Sequence, residues 1–337
     1  MMNRSNRVAL AGVLFASIAL AACAGRGGLP AISRSALRSI DASASNGHLY
    51  VVNGGSDKVT VYAPGGSSAV RTIGKNIRYP QALAFDARGN LYVASASGHV
   101  TVYAAGQKKL LRTVSQGMKH PVALAFDGSD NLYVANLNAG VTVYRAGSTS
   151  ASRTLKHLRQ PSSLAFDASG NLYVGSSDAV TVYAPARTSP LRTIKHGIVP
   201  EGFNYPRALA FDAAGNLYVA NADAGSVVVY APGGSAPVRT IRSGIIYPDA
   251  LALDGAGNLY VANALGFVTV YAPGSTAVMR TIAQGVVFPV GLALDGSGNL
   301  YVASLGSVVT VYGFGSTTVS RVIASGVSYP QAVAIGP

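Results

Sequence analysis

The sequence predicts an all-β chain folded as a seven-bladed β-propeller of four-stranded antiparallel blades. Three observations lead there. The tripeptide Leu-Tyr-Val recurs with its tyrosine at Tyr50, Tyr92, Tyr133, Tyr173, Tyr218, Tyr260 and Tyr301, at steps of 42, 41, 40, 45, 42 and 41 residues. A second tyrosine closes each Val-Thr-Val-Tyr-like segment, at Tyr62, Tyr103, Tyr144, Tyr183, Tyr230, Tyr271 and Tyr312. No long segment has helical periodicity, and Glu201 is the single glutamate against 39 glycines and 16 prolines. Four short strands in a repeat of about 40 residues read as a propeller blade.

One copy gives the elements in order. Ala208-Leu-Ala-Phe211 is the first strand, with small residues on one face and large ones on the other. Gly215-Asn216 marks a hairpin into the second strand, Leu217-Tyr-Val-Ala220. Val227-Val-Val-Tyr230 is the third, Pro232-Gly233 turns the chain, and the fourth is Arg239-Thr-Ile241 with its flanks. Strands two to four occur seven times. The first copy lacks a clear first strand, whereas Pro330-Gln-Ala-Val-Ala-Ile-Gly-Pro337 matches one. Residues 331–335 are therefore predicted to supply the innermost strand of blade one and close the ring. In the alternative, residues 36–41 form that strand and the last segment is an extra edge.

The repeat Phe-Asp-x-x-Gly-Asn-Leu-Tyr-Val-Ala-Asn, at Phe211–Asn221, resembles the NHL and YVTN families of propeller repeats. The resemblance covers about residues 46–337. It implies the fold, and it implies that the loops from strand two to three and from strand four to the next strand one share a face. WD-repeat propellers are disfavoured, because the chain has no tryptophan.

The first residues read differently. Arg4 and Arg7 precede an apolar or small stretch from Val8 to Leu20, then Leu20-Ala-Ala-Cys23. A basic start, a short apolar stretch and small residues describe a signal peptide over 1–22. The motif resembles the bacterial lipobox, which implies that the only cysteine, Cys23, is lipidated and that residues 23–45 tether it to the folded body 46–337. Several acyl chains anchor a protein stably. The expected location is the bacterial cell envelope, lipid-anchored at the outer membrane and periplasm or at the cell surface. The formal charge is +13, or +11 without Arg4 and Arg7, which favours anionic partners.

Repeated chemistry reads as scaffold. Asp86, Asp127, Asp167, Asp212, Asp254 and Asp295 each end a first strand beside a turn, where aspartate bonds backbone. Arg71, Arg112, Arg153, Arg192, Arg239, Arg280 and Arg321 fall on the outermost strand, where charge guards an edge from pairing.

Function is then sought where the copies disagree. After the repeat proline stand Gln81, Val122, Ser162, Arg207, Asp249, Val290 and Gln331; before it stand Tyr79, His120, Gln160, Tyr205, Tyr247, Phe288 and Tyr329. An aromatic collar around a few polar groups suits sugars or peptides. The candidate ligand-binding residues are Gln81, His120, Tyr205, Arg207, Tyr247, Asp249, Tyr329 and Gln331; Arg207 and Asp249, on neighbouring blades, can also simply pair. The longest linker, His196 to Tyr205, opens onto the same face.

Enzyme signatures are weak. There is no Gly-x-Ser-x-Gly elbow, zinc-type cysteine pair or phosphate loop. His120, His157 and His196 recur in successive linkers without a matching carboxylate cluster. The gluconolactonase-like propellers hold a metal through carboxylate and amide groups at the mouth, where this chain offers only Asp249 as a carboxylate. The histidine and glutamate constellation of streptogramin lyase has no counterpart here. The reading is a monomeric, membrane-anchored, non-catalytic binding propeller that needs no cofactor or metal. Its partner is an envelope protein, peptide or glycan rather than nucleic acid. The alternative is a lactonase- or lyase-like enzyme with a metal at the channel mouth.

Overall fold

The computed structural model describes residues 47–195 and 206–337. The signal-peptide and tether segments, Cys23, residues 36–41, and the linker with His196, Glu201 and Tyr205 lie outside the described residues.

Seven four-stranded antiparallel sheets form the body, and no helix occurs among the described residues. Blade two shows the plan. Pro80–Phe85 lies innermost, followed outward by Leu91–Ser95, His99–Tyr103 and Leu110–Val114. The second and third strands are buried on both faces between neighbouring blades. That is why they read as β-branched and aromatic runs rather than as apolar–polar alternation. The outermost strand has one solvent face and recovers the alternation.

Blade-to-blade packing rests on tyrosine. The second-strand tyrosine meets the aromatic ending the next blade's first strand, edge to face. The pairs Tyr50–Phe85, Tyr92–Phe126, Tyr133–Phe166 and Tyr173–Phe211 have centroids 4.8–5.0 Å apart. Such pairs add roughly 0.5–1.5 kcal/mol each beyond area burial. The third-strand tyrosine instead bonds the incoming linker: Tyr271 Oη donates to the Ser243 carbonyl, and Tyr103 and Tyr144 donate to those of Lys75 and Gln116.

The ring closes as the sequence predicts. Pro330–Gly336 pairs antiparallel with His48–Asn53, with Leu49 opposite Ile335 and Val51 opposite Val333. It packs between the innermost strands of blades seven and two, Pro289–Leu294 and Pro80–Phe85. Tyr50 Oη donates to the Pro337 carbonyl at 2.7 Å, and Tyr62 Oη to that of Ser325 at 2.6 Å.

The repeated aspartate, tyrosine and arginine meet in blades two to seven; in blade one Arg71 Nη2 donates to Tyr50 Oη, which donates to the Pro337 carbonyl in place of an aspartate. In blade three the register aligns Ala125, Tyr133, Val143 and Arg153 in a row across the sheet. Val143 is short, so the Arg153 chain passes over it. The guanidinium carbon sits 5.6 Å from the Tyr133 ring centroid, and Nη2 donates to Tyr133 Oη at 2.6 Å. Tyr133 Oη in turn donates to Asp127 Oδ2 at 3.3 Å, while Asp127 Oδ1 accepts from the backbone N–H groups of Ser129 and Asn131. Burial pushes the Tyr133 hydroxyl up to about 12 despite Arg153, so it stays a donor at neutral pH. The aspartate is the turn ligand the sequence implies. The arginine differs from the edge guard expected there: it starts on the outermost strand but folds its head inward over the tyrosine.

Candidate functional site

In five blades the two loop types meet directly. The carbonyl of the pre-proline residue accepts from the N–H that follows the second strand: Tyr79 from Ala96, His120 from Leu137, Tyr247 from Ala264, Phe288 from Leu305 and Tyr329 from Gly54, at 2.9–3.1 Å. These bonds put the linkers and the second-to-third turns on one face.

The same bonds fix an unusual backbone. Tyr79, His120, Gln160, Tyr247, Phe288 and Tyr329 all have φ between 44° and 58°. Left-handed backbone costs an L-residue about 1–2 kcal/mol. The turn delivers the chain from an outermost strand to the next innermost one and leaves the side chain standing out. Tyr79, Tyr247, Phe288 and Tyr329 are 53–61% exposed, although the tyrosines of the second and third strands are buried. They belong to four consecutive linkers, entering blades six, seven, one and two.

The slot after the proline behaves differently. It forms the seam between innermost strands. Val122, Val290, Ser162, Asp249 and Gln331 are buried, and Gln81 is half-buried. Gln81 Nε2 donates to the Tyr79 carbonyl at 3.3 Å and Gln331 Nε2 to that of Tyr329 at 3.2 Å, so both amides brace the turns beside them. Ser162 Oγ donates to the Pro206 carbonyl of the next blade at 2.8 Å. Arg207 Nη1 donates to Asp249 Oδ1 at 2.7 Å, the one ion pair among the described residues. Burial raises the Asp249 carboxyl above the ordinary aspartate range, and the Arg207 charge offsets this only in part. Of the candidate residues, then, His120, Tyr247 and Tyr329 present free surface, Gln81, Arg207, Asp249 and Gln331 engage the scaffold, and Tyr205 and Cys23 lie outside the described residues.

Charge on this face is lopsided, a signal that the position-by-position comparison of the repeats overlooked. The linkers into blades two, three and four carry exposed Lys75 and Arg78, Lys119 and His120, and Lys156, His157 and Arg159. The linkers into blades six, seven and one hold one cation, Arg242, and expose Ile246, Tyr247, Val287, Phe288 and Tyr329 instead. Leu265 in the blade-six turn adds to that apolar half.

Among the described residues, no group of three or more His, Cys, Asp or Glu side chains is placed to hold a metal ion. His99 is committed to structure: Nε2–H donates to the Asn76 carbonyl at 2.7 Å, with Ser97 Oγ at 3.2 Å from Nδ1. His120 and His157 are exposed, each on a left-handed backbone of its own linker.

Neither the protein-family models nor the curated proteins searched yield a match to this sequence.

Proposed function

We propose that this chain is an exported, lipid-anchored binding propeller of the bacterial envelope, of the NHL/YVTN repeat type, and that its contact surface is the linker face. The observation that carries the reading is the run of Tyr247, Phe288, Tyr329 and Tyr79, exposed in consecutive linkers and held out by a strained backbone. Strain retained at a surface marks a site where the fold is over-determined for a purpose other than packing. Aromatic rings offer large contact area at low entropy cost, and they suit the faces of sugars and the side chains of peptides. The Leu20-Ala-Ala-Cys23 motif supports the anchor.

The test uses the full-length protein in detergent, titrated with envelope glycan fragments and envelope-protein extracts. Tyr247→Gly and Tyr329→Gly remove the rings and relax the left-handed backbone together. Binding weakened at least tenfold in variants that stay folded supports the reading. Binding unchanged in both, or found only with metal-dependent turnover, refutes it. The anchor is tested separately: Cys23→Ser should release the protein from the membrane fraction, and retention of the variant there would count against lipidation.

A further inference from the structure

Blade four breaks the repeat twice. Its incoming linker runs Leu155-Lys156-His157-Leu158, with two residues between the buried Leu155 and the half-buried Leu158 where the linker into blade three, Val114 to Met118, has three. Its second-to-third turn is also short, with Tyr173 ten positions before Tyr183 against eleven or twelve in every other blade.

The shorter linker removes the carbonyl that receives the third-strand tyrosine. Tyr62, Tyr103, Tyr144, Tyr271 and Tyr312 each donate to the second residue beyond the preceding outermost strand. Tyr183 Oη makes no hydrogen bond among the described residues, although its residue is only 2% exposed. Burial raises its pKa, so the hydroxyl remains a donor.

A cavity of about 600 Å³ opens where the latch is missing, lined by Tyr183 and by Thr154, Thr181, Thr188 and Thr193. Lys156, His157, Arg159 and Lys195 also line it, against the single carboxylate of Asp178. Lys156, Arg159 and Lys195 form no ion pair among the described residues. The volume lies within the span of small-molecule sites. Leu158, Ala179 and Pro190 add apolar surface beside these polar groups. A lining of several hydroxyls under an excess of cations matches a ligand that carries many hydroxyl groups and an anionic one.

We propose that this cavity binds an acidic sugar, with the anionic group held by Arg159 and the lysines and a ring hydroxyl by Tyr183 Oη. The carboxylate of a uronic acid and the phosphate of a phosphosugar are two sources of the same chemistry. The site is separate from the exposed aromatic collar, and the inference does not depend on the collar.

Calorimetric titration of the full-length protein in detergent tests it, with glucuronate, glucose 6-phosphate, glucose and inorganic phosphate as probes. At least one of the two acidic sugars should bind, with affinity falling as salt rises, and glucose should not. Which of them binds more tightly identifies the anionic group. Tyr183→Phe should weaken binding about two- to tenfold with the melting temperature unchanged, as loss of one hydrogen bond dictates. Arg159→Ala should weaken it tenfold or more. Tyr247→Gly should leave it intact, so failure at this cavity and failure at the collar are read separately.

Absence of binding by both acidic sugars at millimolar concentration overturns the proposal. So does equal binding of glucose, or affinity untouched by both cavity variants. Inorganic phosphate binding as tightly as glucose 6-phosphate would reduce the site to a simple oxyanion pocket and overturn the sugar assignment.

Discussion

Arg207 Nη1 lies 2.7 Å from Asp249 Oδ1 and ties the innermost strand of blade five to that of blade six. The two partners are unequally buried, with side chains 29% and 7% exposed respectively. Their loss should therefore be unequal. Arg207→Ala leaves a buried carboxylate without its cation, which costs about 3 kcal/mol when the partner stays charged. Asp249→Asn leaves an arginine that still reaches water and should cost far less. Chemical denaturation of both variants at neutral pH checks the order.

The same pair sets a pH dependence. The Asp249 pKa is raised in the folded protein, chiefly by burial. A raised acid binds its proton more tightly when folded, so its contribution is fully present below the unfolded value. It is lost as pH rises through the folded value. The stability of Asp249→Asn relative to the native chain should therefore increase from pH 3 toward neutrality. A relative stability that falls over that range would show that Arg207 outweighs burial.

Deleting residues 330–337 removes the innermost strand of blade one, exposes the edge of His48–Asn53, and strips Tyr50 of its Pro337 acceptor. The expected result is loss of a cooperative melting transition or insoluble protein. A melting temperature equal to that of the full chain would mean that the ring does not need this strand.

Tyr133→Phe isolates the interior network. It should cost about 1–2 kcal/mol, because Arg153 Nη2 and Asp127 Oδ2 both lose the hydroxyl between them. Its effect on ligand binding should be nil, and a selective loss of binding without loss of stability would place this network in function rather than scaffold.

Third-strand tyrosines should divide by blade. Tyr144→Phe breaks the bond to the Gln116 carbonyl and should destabilise by about 1 kcal/mol, whereas Tyr183→Phe removes a hydroxyl with no partner among the described residues and should be neutral. Thermal melts of the two variants side by side make the comparison. Equal losses would imply that Tyr183 has a structural bond after all.

The amino-acid sequence by itself determined the repeat, the strand order within a blade and the number of blades, and it favoured residues 331–335 over 36–41 as the strand that closes the ring, which the pairing of Pro330–Gly336 with His48–Asn53 decided. These follow from local rules: Leu-Tyr-Val and Val-Thr-Val-Tyr set strand identity, and Asp-x-x-Gly-Asn and Pro-Gly set the turns. Counting Pro330-Gln-Ala-Val-Ala-Ile335 as a first strand then favoured the arrangement without an extra edge, and that is the one the sheet order has. Tertiary structure alone decided where the variable residues face. Gln331 and Asp249 occupy the slot that looked like a channel lining, yet the inward taper of the ring presses that slot into the seam between blades. Arg153 reaches Tyr133 because only one strand separates them in the sheet, although they stand twenty residues apart in the chain. The cavity beside blade four comes from one residue missing near Lys156 and is felt at Tyr183, twenty-seven positions later. Such effects depend on distances through space, which the order of residues along the chain does not specify.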